Sequence, residues 1–237
     1  KYKLAELCLR SFRESLGDLR VKLWALLDGC PPEYADLFRK YFPTESLELI
    51  HFDGIGNHGT FIRQIDLLLG QSASETVYFA EDDYFYLPGQ FREMLDFMSA
   101  HPDVDFVTPY DHRDYYTLEL HRHRNEIRVH GQRHWRTANS TCLTFLTRQQ
   151  VLRDTQEVFR SYARGNLDFT LWLALTKMLP DRLRSITDFL IGQGVLRSWL
   201  ISSQRFVLRQ VLFGRRRSLW APIPSIATHL ESSGLAP

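Results

Sequence analysis

Three consecutive carboxylates, Glu81-Asp82-Asp83, close the short apolar run Val77-Tyr-Phe-Ala80. Acids crowded at the end of a buried strand repel one another and lose solvation. A divalent cation relieves both penalties, since hard ions prefer carboxylate oxygen. Such an ion also clamps a diphosphate and neutralises charge on a departing nucleoside diphosphate. The competing reading is local: Asp82 and Asp83 cap the following turn through their side chains. Gly54-Ile-Gly-Asn-His-Gly59 precedes a helix, so its backbone N–H groups suit phosphate or ribose, although the spacing is neither a phosphate-loop nor a dinucleotide fingerprint. Asp168, in Arg164-Gly-Asn-Leu-Asp168, stands where a helix begins. It can cap that helix for roughly 1 kcal/mol, a role Asn166 fills equally, or serve as a general base. His229 follows a strand near the end of the sequence, and its neutral imidazole suits manganese and similar ions. His121, His123, His130 and His134 form a second histidine group, but no nearby acid or Cys completes a metal set, so a solvated loop is expected there.

The elements that must position these side chains follow from periodicity. Leu4, Cys8, Phe12 and Leu16 give one apolar helical face, ended by Gly17. Val21 to Leu27 alternates as a strand and runs into Asp28-Gly29. A helix is expected from about Glu33 to Phe42, a strand over Leu47 to Phe52, a turn over Asp53 to Gly59 and a helix from Phe61 to Leu69. Thr76 to Ala80 is a short strand, Pro88 opens a helix reaching His101, and Val104 to Thr108 is a further strand. Alternation of this kind implies a mostly parallel sheet covered on both faces, with ligands outside the carboxyl ends of its strands. Asp28, the glycine turn and the acidic triplet all fall at that edge. Beyond Asp111 the pattern changes. Asp111 to Gly131 is polar and rich in His and Arg, as loop and edge-strand material is. Thr141 to Leu146 is expected as a strand, Gln149 to Ala163 as a helix capped by Gly165, and Leu167 to Leu179 as a helix stopped by Pro180. Arg205 to Arg217 carries five arginines among apolar residues. It is expected as an ordinary amphipathic helix with a charged face; the alternative is contact with anionic lipid or a lipid-linked acceptor.

A chain of 237 residues with 44% hydrophobic and 24% charged residues is ordinary globular material for one α/β domain. The net charge of +1 offers no general bias toward nucleic acid. Cys8, Cys30 and Cys142 lack the spacing of a zinc or redox motif and are expected as reduced structural thiols in a cytoplasmic protein. No apolar run approaches the roughly 20 residues of a membrane-spanning helix. The sequence starts inside a helical pattern without Met, as a trimmed piece would.

Val-Tyr-Phe-Ala-Glu-Asp-Asp-Tyr-Phe-Tyr-Leu-Pro-Gly89 resembles the metal-binding segment of the GT-A glycosyltransferases, of the family-2-like kind with a Glu-Asp-Asp motif. There an apolar strand delivers the acids and a Pro begins a helix soon afterwards. The resemblance implies a GT-A (Rossmann-like) fold. A mostly parallel central sheet flanked by helices would hold the nucleotide sugar over about 1–110, and a smaller antiparallel subregion over about 111–237 would take the acceptor. It implies that Asp83 ligates a manganese or magnesium ion and that Asp82 and Glu81 hold the ribose or a metal-bound water. Asp28, Asn57 and His58 then contact the donor nucleotide, and His229 completes the metal shell or touches the diphosphate. Asp168 becomes the base of an inverting transfer from a nucleotide diphosphate sugar to a hydroxyl of a glycan or lipid-linked glycan. Nucleic acid is no partner on this reading, and the expected location is cytoplasmic, at most peripheral to the inner face of the membrane. One departure stands out: GT-A domains open with an apolar strand ahead of the first helix, and none is present. Two other classes fit the same residues. A nucleotidyltransferase would add a basic glycine-rich loop near the N-terminus, which is missing. A non-catalytic carbohydrate-binding or scaffold module would keep the fold without turnover.

Overall fold

The computed structural model describes residues 1–179, 199, 201–230 and 236. Helix α1 (Tyr2–Leu16) leads to strand β1 (Leu23–Asp28), helix α2 (Glu33–Tyr41), β2 (Leu47–Phe52) and α3 (Gly56–Gly70). β3 (Thr76–Phe79) and β4 (Tyr84–Tyr86) flank the acidic triplet, followed by α4 (Phe91–Ala100), β5 (Phe106–Val107) and the short α5 (Asp114–Thr117). Then come β6 (Ile127–His130), β7 (Arg133–Ala138), β8 (Phe145–Arg148), α6 (Gln149–Arg160) and α7 (Asp168–Thr176). A π-turn over Ser203–Val207 runs into α8 (Leu208–Phe213), and β9 (Leu219–Ile223) and β10 (Ala227–His229) close the fold.

The central sheet has six strands in the order β3-β8-β5-β9-β7-β6. Successive residues of its strands point to opposite faces, and each face finds its own helices. Phe79, Phe106, Phe145, Leu219 and Ala221 pack with Phe61 and Ile65 of α3, Phe159 of α6 and Trp172 of α7. Val107, Leu146, Trp135 and Trp220 pack on the other side with Leu16 of α1 and Met94 and Phe97 of α4. The molecule is therefore α/β, with helices on both faces of one mixed sheet.

The expectation of a mostly parallel sheet fails. Only β5–β9 is parallel within the six strands, and the other four pairings are antiparallel. Two connections account for this. β6 and β7 are joined by two residues, Gly131-Gln132, with Gly131 at φ 61°, which forces a hairpin. β8 inserts between β3 and β5 running against both. The antiparallel strands thus belong to the main sheet, and β3 and β5 from the first half share it with β6 to β9 from the second. The parallel crossover that the sequence does announce, β1-α2-β2, forms a separate two-stranded sheet. No described strand stands in for the opening strand of GT-A domains: β1 pairs only with β2, and β3 only with β8.

Several element boundaries move. α3 starts at Gly56, so Asn57 and His58 lie in a helical first turn and not in a loop. Pro88 sits in a turn before α4, where Gly89 at φ 70° donates its N–H to Glu14 O. The polar run Asn139-Ser-Thr141 precedes β8 as buried irregular chain, although a strand was expected from Thr141. Gly165 takes the left-handed conformation expected of a cap, at φ 93°. Pro180 lies outside the described residues.

Candidate functional site

Ala80 to Asp83 spans the step from β3 to β4, and β4 leaves the central sheet to pair with β10. The antiparallel register places His229 opposite Tyr84, and Leu230 N donates to Asp83 O at 2.9 Å. That register carries the imidazole to the acid: His229 Nε2 lies 2.8 Å from Asp83 Oδ2. Asp83 Oδ1 is shut away from solvent and has no hydrogen-bond partner. Tyr84, fully buried, braces the pair from beneath, with its ring 5.2 Å from that of His229 and 5.6 Å from that of Tyr110.

Glu81 is exposed to solvent at its edge yet has protein packed around its carboxyl. Thr144 Oγ1 donates to Glu81 Oε2 at 2.8 Å, and Glu81 N donates back to Thr144 Oγ1 at 3.2 Å. Burial pushes the Glu81 carboxyl up to about 7; Thr144 and His229 oppose the rise, while the charges of Asp83 and Asp168 add to it. Asp82 is exposed beside it.

Asp168 is the first residue of α7 and belongs to the same electrostatic neighbourhood. Burial raises its pKa, and the backbone N–H groups of Phe169 and of Asp168 itself only partly offset this. Its Oδ1 accepts the Phe169 N–H at 2.6 Å, and it makes no side-chain cap of the helix. Desolvation is thus the larger effect on this acid, although it opens a helix. The structural duty falls to Asn166, which is buried. Its Nδ2 donates to Ser161 Oγ at 2.8 Å, and its Oδ1 accepts from Leu167 N at 3.0 Å and from Thr170 Oγ1.

Asp28 ends β1, but its carboxylate is committed to backbone. Oδ1 accepts from Gly54 N at 2.7 Å and Ile55 N at 2.8 Å, and Oδ2 from Gly56 N at 2.7 Å. Partial desolvation raises its pKa, and the three donors outweigh that, so the net shift is downward. Asp28 therefore staples the turn that launches α3, whatever else it touches. Asn57 and His58 are exposed on that first turn, and the His58 ring stands edge-on to Tyr162 at 4.8 Å. Tyr162 in turn feels the charges of Asp168 and Glu81. The α3 start and the Tyr162 turn thus flank the acids on one side.

No protein-family profile and no curated protein matches the chain. The charge pattern has to speak for itself, and it is unequal. Elsewhere in the fold acids meet arginine: buried Asp105 with Arg217 at 3.0 Å, buried Asp111 with Arg136 at 3.5 Å, and half-buried Glu93 with Arg133 at 2.7 Å. Among the described residues, no Lys or Arg pairs with Glu81, Asp82, Asp83 or Asp168, and His229 is the one ion-pair partner Asp83 has there. Nor do three or more His, Cys, Asp or Glu side chains converge into a ready metal cage among the described residues.

Residues missed from the sequence complete the picture. Thr144 anchors Glu81, and the buried polar run from Asn139 to Thr141 was the available signal. The three cysteines, far apart in sequence, all border the acids. Burial pushes Cys8 up to about 11 and Cys142 up to about 12, with Asp83 and Asp82 adding at Cys8 and Glu81 at Cys142; Cys30 is raised by burial and by Asp82. They are free thiols held protonated, hence poor nucleophiles. The histidine group disperses. His121 is buried against Asn139 Oδ1 at 2.5 Å on a 3₁₀ turn, and His130 sits beside Phe97 and His101. No helix among the described residues is long and apolar enough to cross a membrane.

Proposed function

We propose that the chain is a metal-dependent inverting glycosyltransferase of the GT-A type, acting on a nucleotide diphosphate sugar and a hydroxyl of a glycan or lipid-linked glycan. The observation that carries this reading is the uncompensated group of acids: four carboxylates that pair with no Lys or Arg among the described residues, and one of them, Asp83, holding a buried oxygen that has no partner. A buried oxygen of that kind costs about 1–3 kcal/mol unless something binds it.

The donor set fits a hard or borderline divalent ion such as Mn²⁺ or Mg²⁺. Asp83 supplies carboxylate oxygen and His229 imidazole nitrogen, and a pair of protein ligands is what an ion shared with substrate phosphates requires. When bound, the ion neutralises charge on the departing diphosphate. Everything else is the work of this chain. The exposed Asp82 and Glu81, whose carboxyl burial pushes up to about 7, can each hydrogen-bond a ribose or sugar hydroxyl, and Thr144 fixes the rotamer of Glu81. The exposed side chains of Asn57 and His58, on the turn that Asp28 staples, would contact the donor nucleotide. Asp168 accepts the proton from the acceptor hydroxyl as that oxygen bonds to the anomeric carbon and the carbon–diphosphate bond breaks. Its raised pKa brings it closer to the operating pH, which favours a general base. In-line displacement inverts the anomeric configuration.

Calorimetry with nucleoside diphosphates, with manganese and then with EDTA, tests the reading. Binding should require the metal and disappear in Asp83→Ala. Equal affinity with and without EDTA sinks the metal assignment, and metal-dependent binding without transfer or donor hydrolysis would leave only a binding module.

A further inference from the structure

The face formed by the π-turn and α8 is unlike the rest of the surface. Ile201, Leu208, Leu212 and Phe213 are exposed by 55%, 45%, 59% and 82%. Scattered apolar residues are normal on a surface, but these four fall within thirteen consecutive positions, three of them along one short helix. They are not there for want of an inner face: Val207 is buried in the core, and Phe206 and Val211 pack against it. The segment is apolar on both sides.

Its charge is one-sided. Residues 201–217 contain five arginines and neither Asp nor Glu. Arg217 turns inward to Asp105 and Asp154, both at 3.0 Å. Arg205, Arg209, Arg215 and Arg216 remain exposed, interleaved with the apolar side chains or directly following them. The platform is also held in place. Lys177 Nζ donates to Gly214 O at 2.6 Å, Gln210 Nε2 to Ala174 O at 3.3 Å and Arg217 N to Leu175 O at 2.8 Å, which ties α8 to the C-terminal end of α7.

From these observations we infer that this face docks on an anionic lipid surface, with Leu208, Leu212 and Phe213 entering the headgroup–acyl boundary and the four arginines meeting lipid phosphates. An aromatic and aliphatic tip surrounded by cations is the combination an interfacial element uses, and the one-signed charge selects anionic over zwitterionic lipid. The inference is independent of the glycosyl-transfer reading, but the geometry connects them. Asp168 stands about 10 Å along the α7 axis from the end that α8 grips, so docking here would hold the acidic residues close to the membrane.

The test uses the full chain and large unilamellar vesicles of phosphatidylcholine alone or mixed equally with phosphatidylglycerol, read by co-sedimentation at physiological salt. The protein should pellet with the anionic vesicles, stay in solution with the zwitterionic ones, and release as salt is raised. Leu212→Ser with Phe213→Ser should weaken binding by about tenfold or more, given the apolar area withdrawn. Arg209→Glu with Arg215→Glu should abolish it, whereas Arg39→Glu on α2 should leave it unchanged. Both pairs replace exposed side chains, and melting curves matching wild type establish that the fold is intact. No pelleting with anionic vesicles, or pelleting that neither pair of substitutions alters, overturns the inference. So does a dimer that the Leu212→Ser, Phe213→Ser variant converts to monomer while vesicles bind neither form, since the face would then belong to a second copy.

Discussion

Replacing Asp168 by Asn should destroy turnover without destabilising the protein, and the structure sets the size of both effects. The Asp168 carboxylate accepts the Phe169 N–H, and an asparagine oxygen keeps that bond. Burial raises the folded-state pKa above the ordinary value of about 3.9, so the folded chain holds the proton more tightly than the unfolded one. The stability from such a group is present below the unfolded pKa and lost as pH rises through the folded one. At neutral pH the ionised Asp168 is therefore a net cost, and the neutral isostere removes it. Asp168→Asn should melt at or above the wild-type temperature near neutrality, and the difference should close in acid. Asn166→Ala provides the contrast. It loses bonds to Ser161, Leu167 and Thr170 at a site only 2% exposed, about 1 kcal/mol each and so about 3 kcal/mol together. At roughly 2–4 °C per kcal/mol for a chain of this size, its melting temperature should fall by about 6–12 °C. Turnover with a nucleotide sugar should drop by about 10²–10⁴-fold in Asp168→Asn, while donor affinity survives because Asp83 and His229 are untouched. Near-normal turnover by Asp168→Asn, or a product of retained configuration, refutes the base assignment. A melting temperature as low as that of Asn166→Ala refutes the account of its burial.

Asp28→Asn replaces one carboxylate oxygen by an amide NH₂, set against at least one of the three backbone donors, so amide exchange in the turn Gly54 to Gly56 should accelerate; unchanged protection there would contradict the staple. His121 is held neutral by burial, with a pKa lowered to about 4, and the hydrogen bond from its Nδ1–H to Asn139 Oδ1 fixes the tautomer, because Asn139 Nδ2 already donates to Leu120 O and Met178 O. A depressed histidine contributes stability that is present above the unfolded value of about 6.5 and lost as pH falls toward 4, here on the order of 3 kcal/mol. A melting-temperature profile against pH should show that loss in wild type and a flatter acid limb in His121→Gln, and parallel limbs would exclude His121 as the titrating group.

Local order was legible where one segment sufficed to determine it. The 3.6-residue periodicity of α1 and the alternation of β1 and β2 place these elements to within about two residues, and Gly165 caps as its type suggests. The central sheet was not legible, because strand direction depends on partners distant in sequence. Nothing in Phe145–Arg148 announces that it will run against both β3 and β5. The same division holds at the site. The acidic triplet identifies itself by composition, and the resemblance, not the residues alone, linked it to Asp168 and His229. The β4–β10 register that sets His229 on Asp83 is a long-range pairing that periodicity cannot supply. Thr144 and Tyr162 escaped notice because a single Thr or Tyr carries no spacing signal, and for the same reason the place of the three thiols beside the acids was not legible. At Asp28 the Asp-Gly pair after a strand announces a turn, and the carboxylate does accept the next turn's N–H groups.

The charge imbalance around the acidic triplet also constrains the order in which ligands can bind there. A diphosphate alone would approach Glu81, Asp82, Asp83 and Asp168 with no described Lys or Arg paired to them, and like charge opposes it. A divalent ion alone finds Asp83 and His229 but no complete cage, so water must fill its remaining positions. Each ligand supplies what the other lacks. The ion reverses the local sign for the diphosphate, and the phosphate oxygens complete the coordination that the protein leaves open. On the proposed reading the two therefore bind with strong positive coupling. Linkage makes that coupling reciprocal: manganese must tighten the nucleotide by the same factor by which the nucleotide tightens manganese. The coupling also has to pass through Asp83, since its second oxygen is the one buried acceptor of the triplet left without a partner. Removing that carboxylate should abolish the mutual dependence altogether, whereas weakening a donor-side contact such as Asn57 or His58 should lower nucleotide affinity and leave the coupling factor unchanged.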